Sequence, residues 1–470
     1  MAKKSTTVFM CTECGWTTTK WAGRCGECQT WGTVVEKAER IGAARIAASL
    51  PYTPAQPITE ISGEIAQKYP SGEDELDRVL GGGIVPGAVM LLAGDPGIGK
   101  STLLLSVAGK AAVAAQQNGA GPILYVTGEE SAAQVRARAE RIGAVHPQLL
   151  LAAENSIEKV LGHLEYSSPS LLIVDSVQTL AHPDVEGAAG GVAQVRAVAT
   201  ALIAEAKERN LPVMLVGHVT KDGTIAGPRT LEHLVDVVCQ FEGDRHSRLR
   251  LLRAVKNRYG ATDEVGCFEL HNAGIRGLAD PSGLFLSARK NTVPGTCVTV
   301  TLEGRRPMPV EIQSLSVPAP GAPRRTTSGV DYSRIAMMLA VIQSRLGIAF
   351  EKQDIFVSTV GGARAPEPAS DLAVALSLVS SALDLPLAPG VVAIGEVSLT
   401  GELRPVIGLQ QRLNEAGRLG FRIALIPAGT EKIATPPGMD LRPIDDVAAA
   451  LEAVLPIQPQ QIRTRNNSLQ

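Results

Sequence analysis

Charge of one sign, aromatic side chains and long apolar runs are all scarce in this chain. Across 470 residues, Lys and Arg total 45 against 47 Asp and Glu, so the net charge is −2. No global basic field advertises nucleic acid, and any binding to DNA or RNA has to use local patches. No stretch approaches the roughly 20 apolar residues of a membrane span. The opening Met1-Ala2-Lys3-Lys4-Ser5-Thr6-Thr7 is basic but runs into no apolar segment, so a secretory leader is not expected. Cysteine is limited to seven residues, three of which (Cys239, Cys267, Cys297) lie scattered in apolar contexts and read as buried free thiols. A reducing cytoplasm is the expected compartment, with no membrane partner. A hydrophobic fraction of 45% with 20% charged residues suits a folded protein of two or three domains.

The other four cysteines form Cys11-x₂-Cys14 and Cys25-x₂-Cys28. Two such turns present four thiolates, the donor set of a structural Zn²⁺ site. Gly15 and Gly26 follow the first cysteine pair and sit inside the second, where tight turns are expected. All three tryptophans, Trp16, Trp21 and Trp31, lie in this segment. They read either as the apolar plug of a domain too small for a core, or as a surface for stacking on bases or docking a partner.

A second motif follows, Gly94-Asp95-Pro96-Gly97-Ile98-Gly99-Lys100-Ser101, preceded by the apolar run 88–92 and followed by Thr102 and a helical pattern. Strand, glycine-rich loop and helix in that order form a nucleotide-binding phosphate loop. Its amides and helix start bind phosphate oxygens. Lys100 reaches the β- and γ-phosphates, and the Ser101 hydroxyl ligates Mg²⁺. Apolar strands follow at 123–127, at 171–175 ending in Asp175 (the second Mg²⁺ residue), and at 213–218 ending in His218. Strands of this kind between helical stretches predict a largely parallel, doubly covered sheet. Glu129, just past a strand beside the phosphate loop, is the expected water-orienting carboxylate. Glu130 either shares that task or is a solvated helix-start residue. His218 reads as a γ-phosphate sensor or a half-buried histidine.

The four-cysteine module, this loop, Leu-Leu-Ile-Val-Asp-Ser, and Lys256-Asn257-Arg258-Tyr259-Gly260 resemble the RecA-type ATPases. Among these they resemble the bacterial RadA (Sms) family of DNA repair and recombination proteins over nearly the whole chain. The pentapeptide looks like that family's Lys-Asn-Arg-Phe-Gly, with Tyr259 in the phenylalanine position. The resemblance implies ATP, Mg²⁺ and Zn²⁺ as cofactors. It implies a homo-hexameric ring on single-stranded and branched DNA that branch-migrates recombination intermediates alongside a RecA-type recombinase under DNA damage. Lys256 and Arg258 are then catalytic cations reaching a neighbour's nucleotide, or DNA contacts. Two loops are expected to face the channel, the glycine-rich 182–191 and 220–229, with Lys221 and Arg229 as phosphate contacts.

The proline-rich run 317–330 reads as a linker. Beyond it, Gly395-Glu396-Val397-Ser398-Leu399-Thr400-Gly401 and Gly408-Leu409-Gln410-Gln411-Arg412-Leu413 look like the proteolytic domain of Lon proteases. Lon enzymes use a Ser–Lys dyad. By this resemblance the serine position falls on Ala369, with Ser370 one residue off, and the lysine position falls on Arg412. Arginine stays protonated and cannot act as the base. The expected class is thus α/β: a zinc ribbon (1–35), a connector (36–66), a RecA-like ATPase core with a mostly parallel sheet (67–316), a linker (317–330), a Lon-protease-like α+β domain (331–457) and a polar tail (458–470). The competing functional readings are a DNA-dependent ATPase motor, an ATP-dependent protease, and a nucleotide-switched scaffold.

Overall fold

The computed structural model describes residues 9–36, 57–60, 68–218, 228–243, 247–287, 292–430 and 433–455. The chain forms two compact units, Met1–Glu64 and Ile65–Gln470. Most of the expected connector, and all of the expected tail, lie outside the described residues.

The first unit contains a small antiparallel sheet of β1 (Phe9–Cys11), β2 (Thr17–Thr18) and β3 (Val34–Glu36), in the order β2-β1-β3. Cys11, Cys25 and Val34 are buried together, with Phe9 and Trp16 packed against them. Among the described residues this is the unit's one buried cluster, so a metal bound by the cysteines would supply part of its folding free energy.

The second unit begins with a nine-stranded sheet. Its strands are β4 (Val89–Gly94), β5 (Ile123–Thr127), β6 (Leu149–Ala153), β7 (Leu171–Asp175), β8 (Val213–His218), β9 (Val237–Glu242), β10 (Leu249–Asn257), β11 (Val265–His271) and β12 (Gly274–Gly277). They stand in the order β12-β11-β10-β9-β4-β8-β7-β5-β6. The six from β9 to β6 run parallel, and β10 to β12 add an antiparallel wing. Alternation along β4 explains the double cover. Met90 and Leu92 join a core with the helix Lys100–Asn118, while Val89 and Leu91 join a second core with the helix Val192–Glu208.

The C-terminal sheet comprises β13 (Thr296–Glu303), β14 (Arg306–Pro318), β15 (Arg325–Ser328), β16 (Gln353–Thr359), β17 (Val391–Ala393), β20 (Ile423–Pro427) and β21 (Asp440–Ile444). Their order is β15-β16-β14-β13-β17-β20-β21, and a separate two-stranded ribbon pairs β18 (Glu396–Val397) with β19 (Leu403–Arg404). The C-terminal sheet begins at Thr296, because β13 and β14 pair with β17 and β16. The expected boundary at 316 therefore falls inside β14, and the expected linker 317–330 contains the last residues of β14 and all of β15. Proline at 318 and 320 ends a strand here without detaching two domains. The two blocks share a core of Cys267, Phe285, Met308, Val310, Ala363 and Ala365. Arg306 forms a buried ion pair with Glu75 across the same junction.

Candidate nucleotide site and zinc ribbon

The four cysteine Sγ atoms all lie within 4.8 Å of one another. Cys11 to Cys28 measures 3.7 Å and Cys14 to Cys25 measures 3.5 Å. Tetrahedral zinc with Zn–S bonds of about 2.3 Å separates its sulfurs by about 3.8 Å, so the donor set fits Zn²⁺. Both turns close in the same way, with Gly15 N–H on the Cys11 carbonyl and Gln29 N–H on the Cys25 carbonyl. The Glu27 amide points at Cys25 Sγ at 3.4 Å, a contact that stabilises a metal-bound thiolate. The two glycines have different reasons. Gly15 has φ +75°, whereas Gly26 is constrained by Trp16, whose ring would lie 2.7 Å from an added Cβ. The tryptophans divide as well. Trp16 is the plug, while Trp21 and Trp31 are 67% and 72% exposed, with the Arg24 guanidinium 5.7 Å over the Trp31 ring.

The parallel strands β4, β8, β7 and β5 end at one edge of the sheet, and the nucleotide residues stand along it. Gly94 ends β4 with φ +155°, and a Cβ there would lie 2.5 Å from the Phe241 carbonyl oxygen, so only glycine enters this turn. Lys100 is buried and donates to the carbonyls of Gly94 and Asp95 at 2.8 and 3.0 Å. Burial lowers its ammonium pKa, opposed by the charges of Asp175, Glu129 and Asp95. The helix Lys100–Asn118 starts at Gly99 without a side-chain cap, which leaves its first amides for an anion. Ser101 and Thr102 form its first turn. Arg250, buried on β10, donates to the Ile98 carbonyl at 3.2 Å and steadies the loop from beneath.

Asp175 ends β7. The Tyr125 hydroxyl, in the neighbouring β5, donates to its Oδ2 at 2.6 Å. Burial, then the Asp175 charge, push the Tyr125 phenol well above its ordinary value, so it stays protonated and donates. The donor set of Ser101 and Asp175, hydroxyl and carboxylate, suits hard Mg²⁺.

Glu129 follows β5, which is not the strand next to the phosphate loop. β8 and β7 stand between, and Glu129 spans the gap through side chains. Its Oε1 accepts from Ser176 Oγ at 2.7 Å and lies 3.0 Å from His218 Nε2. Glu130 points elsewhere: its Oε1 takes Arg138 Nη2 at 2.5 Å, and its amide donates to Thr127 Oγ1. The geometry therefore groups Glu129 with His218 and separates Glu130 from them.

Lys256 and Arg258 lie at the opposite edge. The start of β9 pairs with the start of β4, and Lys256 pairs with Val238. The length of β4, about 17 Å at 3.3–3.4 Å per residue, separates them from their own phosphate loop. Both have partners in their own chain. Lys256 Nζ donates to the Glu232 and Val235 carbonyls at 2.8 Å each, and Arg258 Nη1 pairs with Asp236 at 3.1 Å. Burial would raise the Asp236 carboxyl, but Lys207, the Val89 amide and Arg258 hold it below the ordinary value.

Of the expected DNA contacts, Lys221 and the side chain of Arg229 lie outside the described residues. The loop 182–191 is pinned by Gln194, which accepts from the His182 amide and donates to its carbonyl. It carries Asp184 and Glu186 and no lysine or arginine, a poor match for phosphate.

In the C-terminal block, Ser370 is buried and donates to the Glu367 and Ala365 carbonyls at 2.7 and 3.3 Å. Arg412 is 1% exposed and forks onto both oxygens of Glu367 at 2.6 and 2.7 Å. The Ser370 hydroxyl thus bonds backbone carbonyls and no base, and Arg412 is committed to Glu367. A cavity of about 690 Å³ lies between the blocks, walled by Gly94, Asp95 and Ile98 on one side and by Thr301, Glu303 and Arg364 on the other. Arg253 bridges its rim, pairing with Glu242 at 3.3 Å and with Glu303 at 2.5 Å.

Sequence reasoning missed Ser176, Tyr125, Arg138 and Arg250. A lone tyrosine in an aliphatic strand and a buried arginine in another are faint signals. The serine after Asp175 was visible, but its partner was not.

Together these features define a zinc-ribbon, phosphate-loop ATPase with a RecA-like core and a Lon-type C-terminal domain. Residues 9–36 match the rubredoxin metal binding domain, 56–224 the AAA domain, and 330–453 the Lon protease (S16) C-terminal proteolytic domain. The chain is 51% identical to the DNA repair protein RadA of Mycolicibacterium smegmatis, covering 95% of this chain and 96% of that one. It is 50% identical to the protein of that name from Mycobacterium tuberculosis (96% and 93% covered), and 42% identical to that of Streptococcus pyogenes (97% and 100%). A solved RadB recombinase aligns at 22% identity and TM-score 0.34 over 44% of this chain and 98% of its own, too weakly to support an argument. The chain belongs to the RadA family of DNA repair proteins. ATP with Mg²⁺ and structural Zn²⁺ are its cofactors. No helix among the described residues is long and apolar enough to cross a membrane.

Proposed function

We propose that this protein is a DNA-stimulated ATPase motor acting in recombinational repair. It binds single-stranded DNA as a homo-hexameric ring in the cytoplasm and branch-migrates recombination intermediates in concert with a RecA-type recombinase. The observation that carries the ATPase part is the row of Gly94, His218, Asp175 and Glu129 along one sheet edge, with Lys100 folded into the loop. The DNA part rests on the near full-length identity to RadA proteins.

In this reading the loop amides and Lys100 hold the triphosphate. Ser101 and Asp175 would hold Mg²⁺, which would supply neutralising charge to the phosphates. Glu129 orients the attacking water, and His218 senses the γ-phosphate. Lys256 and Arg258 act across the subunit boundary on the neighbour's phosphoryl group. Their own phosphate loop lies at the far edge of the sheet, which favours a role in trans. The reading requires them to exchange Asp236 and the Glu232 and Val235 carbonyls for phosphate oxygens when a ring forms.

A protease is disfavoured by alanine at position 369 and by the buried Arg412–Glu367 pair. The distinguishing experiment measures ATP turnover with and without single-stranded DNA in the presence of an unfolded protein substrate. DNA-stimulated turnover without peptide release is expected. Peptide release, or turnover indifferent to DNA, refutes the motor.

A further inference from the structure

We propose that Ser176 is a positioning residue for ATP hydrolysis, holding Glu129 by one oxygen so that the other is presented to water. The proposal rests on the reading of Glu129 as the water-orienting carboxylate.

Ser176 is fully buried, and its hydroxyl donates to Glu129 Oε1 at 2.7 Å. His218 Nε2 approaches the same oxygen at 3.0 Å. His218 Nδ1 is buried with no partner among the described residues. A ring protonated there would strand a buried donor, so the neutral tautomer with its proton on Nε2 fits this geometry and makes His218 a second donor to Oε1. Two donors therefore converge on Oε1. Among the described residues no donor reaches Oε2, and the Glu129 side chain is 43% exposed toward the open sheet edge. A carboxylate with one oxygen saturated and the other free has a single direction in which to accept a hydrogen bond from water.

The position of Ser176 in the chain adds a second effect. Thr127 and Asp175 are register partners in adjacent strands, and the Gly128 amide donates to the Asp175 carbonyl at 3.1 Å. The dipeptide Asp175-Ser176 thereby orients two carboxylates at once. It carries the metal-binding carboxylate itself, aimed by Tyr125, and it holds the water-orienting one through the next side chain. A shift in β7 moves both together, which keeps metal and water in register on the same phosphate. His218, arriving from β8, closes the clamp from the strand next to the phosphate loop.

Hydrogen bonds to a charged group are worth enough that losing one costs about 10- to 100-fold in rate when the group acts in the transition state. The test compares Ser176→Ala, Glu129→Gln and the double variant in the full chain, with Mg²⁺, ATP and single-stranded DNA. Expected for Ser176→Ala are a kcat reduced by that factor, an unchanged KM for ATP, and an unchanged melting temperature. A merely structural serine would move KM and melting temperature along with kcat. On the Glu129→Gln background, Ser176→Ala should cause no further loss, because the carboxylate it positions is already gone. An undiminished kcat for Ser176→Ala, or the same fractional loss on both backgrounds, overturns the inference while leaving Glu129 in its role. A Glu129→Gln protein that turns over at the wild-type rate removes the reading of Glu129 and this inference with it.

Discussion

Arg412 offers the sharpest test of how the C-terminal domain is built. It occupies the position that lysine takes in Lon proteases by resemblance, yet here it is 1% exposed and makes four contacts. Its guanidinium holds both oxygens of Glu367, the Val300 carbonyl at 2.6 Å and the Ile407 carbonyl at 3.1 Å. Glu367 also accepts the Leu302 amide at 2.7 Å, so the pair ties β13 to the helix Leu409–Arg418. Arg412→Leu leaves a carboxylate with one backbone donor and two carbonyls without theirs. Breaking a buried pair costs about 3–5 kcal/mol, and the 27% exposure of the Glu367 side chain puts this case at the low end. Arg412→Lys keeps the charge but loses the fork, costing about 1–2 kcal/mol. Removing both partners, Arg412→Leu with Glu367→Leu, should cost less than Arg412→Leu alone. The assay is urea unfolding followed by far-UV circular dichroism. Tryptophan fluorescence cannot serve, because all three tryptophans lie in the zinc ribbon. Equal stability of wild type and Arg412→Leu, or a double variant worse than either single one, refutes the argument. Peptidase activity gained by Arg412→Lys would refute the dismissal of a protease.

Other outcomes are expected. Cys25→Ser should release close to one zinc per chain and unfold the ribbon while ATP turnover without DNA persists; a protein purified with intact cysteines but no zinc contradicts this. Arg418, then the Ser282 contacts, hold the Asp280 carboxyl below the ordinary range. That contribution, below ~1 kcal/mol for so exposed a pair, is fully present above the unfolded pKa and is lost as pH falls through the folded one. Asp280→Asn should thus lower the melting temperature at neutral pH and have no effect in strong acid. Lys221→Ala should flatten the slope of log affinity for single-stranded DNA against log salt by about 0.7, one phosphate contact; an unchanged slope moves the DNA path elsewhere. Arg258→Ala should nearly silence the ATPase and poison wild-type rings, while mixing it with Glu129→Gln should restore partial turnover. Mixed rings that stay silent would reassign the pentapeptide to DNA.

Motifs whose chemistry needs neighbours in sequence were legible without coordinates. Four thiolates in two tight turns, or a glycine-rich loop opening a helix, are built from contiguous backbone, so spacing alone names the zinc ribbon and the phosphate loop. The alternation of strands and helices likewise implied the parallel sheet. What depends on strand order was decided only by the tertiary structure. β8 and β7 lie between the phosphate loop and Glu129, and that order brings Ser176 and His218 onto one carboxylate oxygen and leaves Glu130 to Arg138. The same non-local choice of partners drew residues 296–318 into the C-terminal sheet and gave Lys256 and Arg258 contacts within their own chain. A strand's sequence states that it will be buried, but its neighbours are set by the packing of the whole sheet. Around Cys25 the limit is one side chain: Gly26 looked like a turn residue, and it is glycine because the Trp16 ring rests against it.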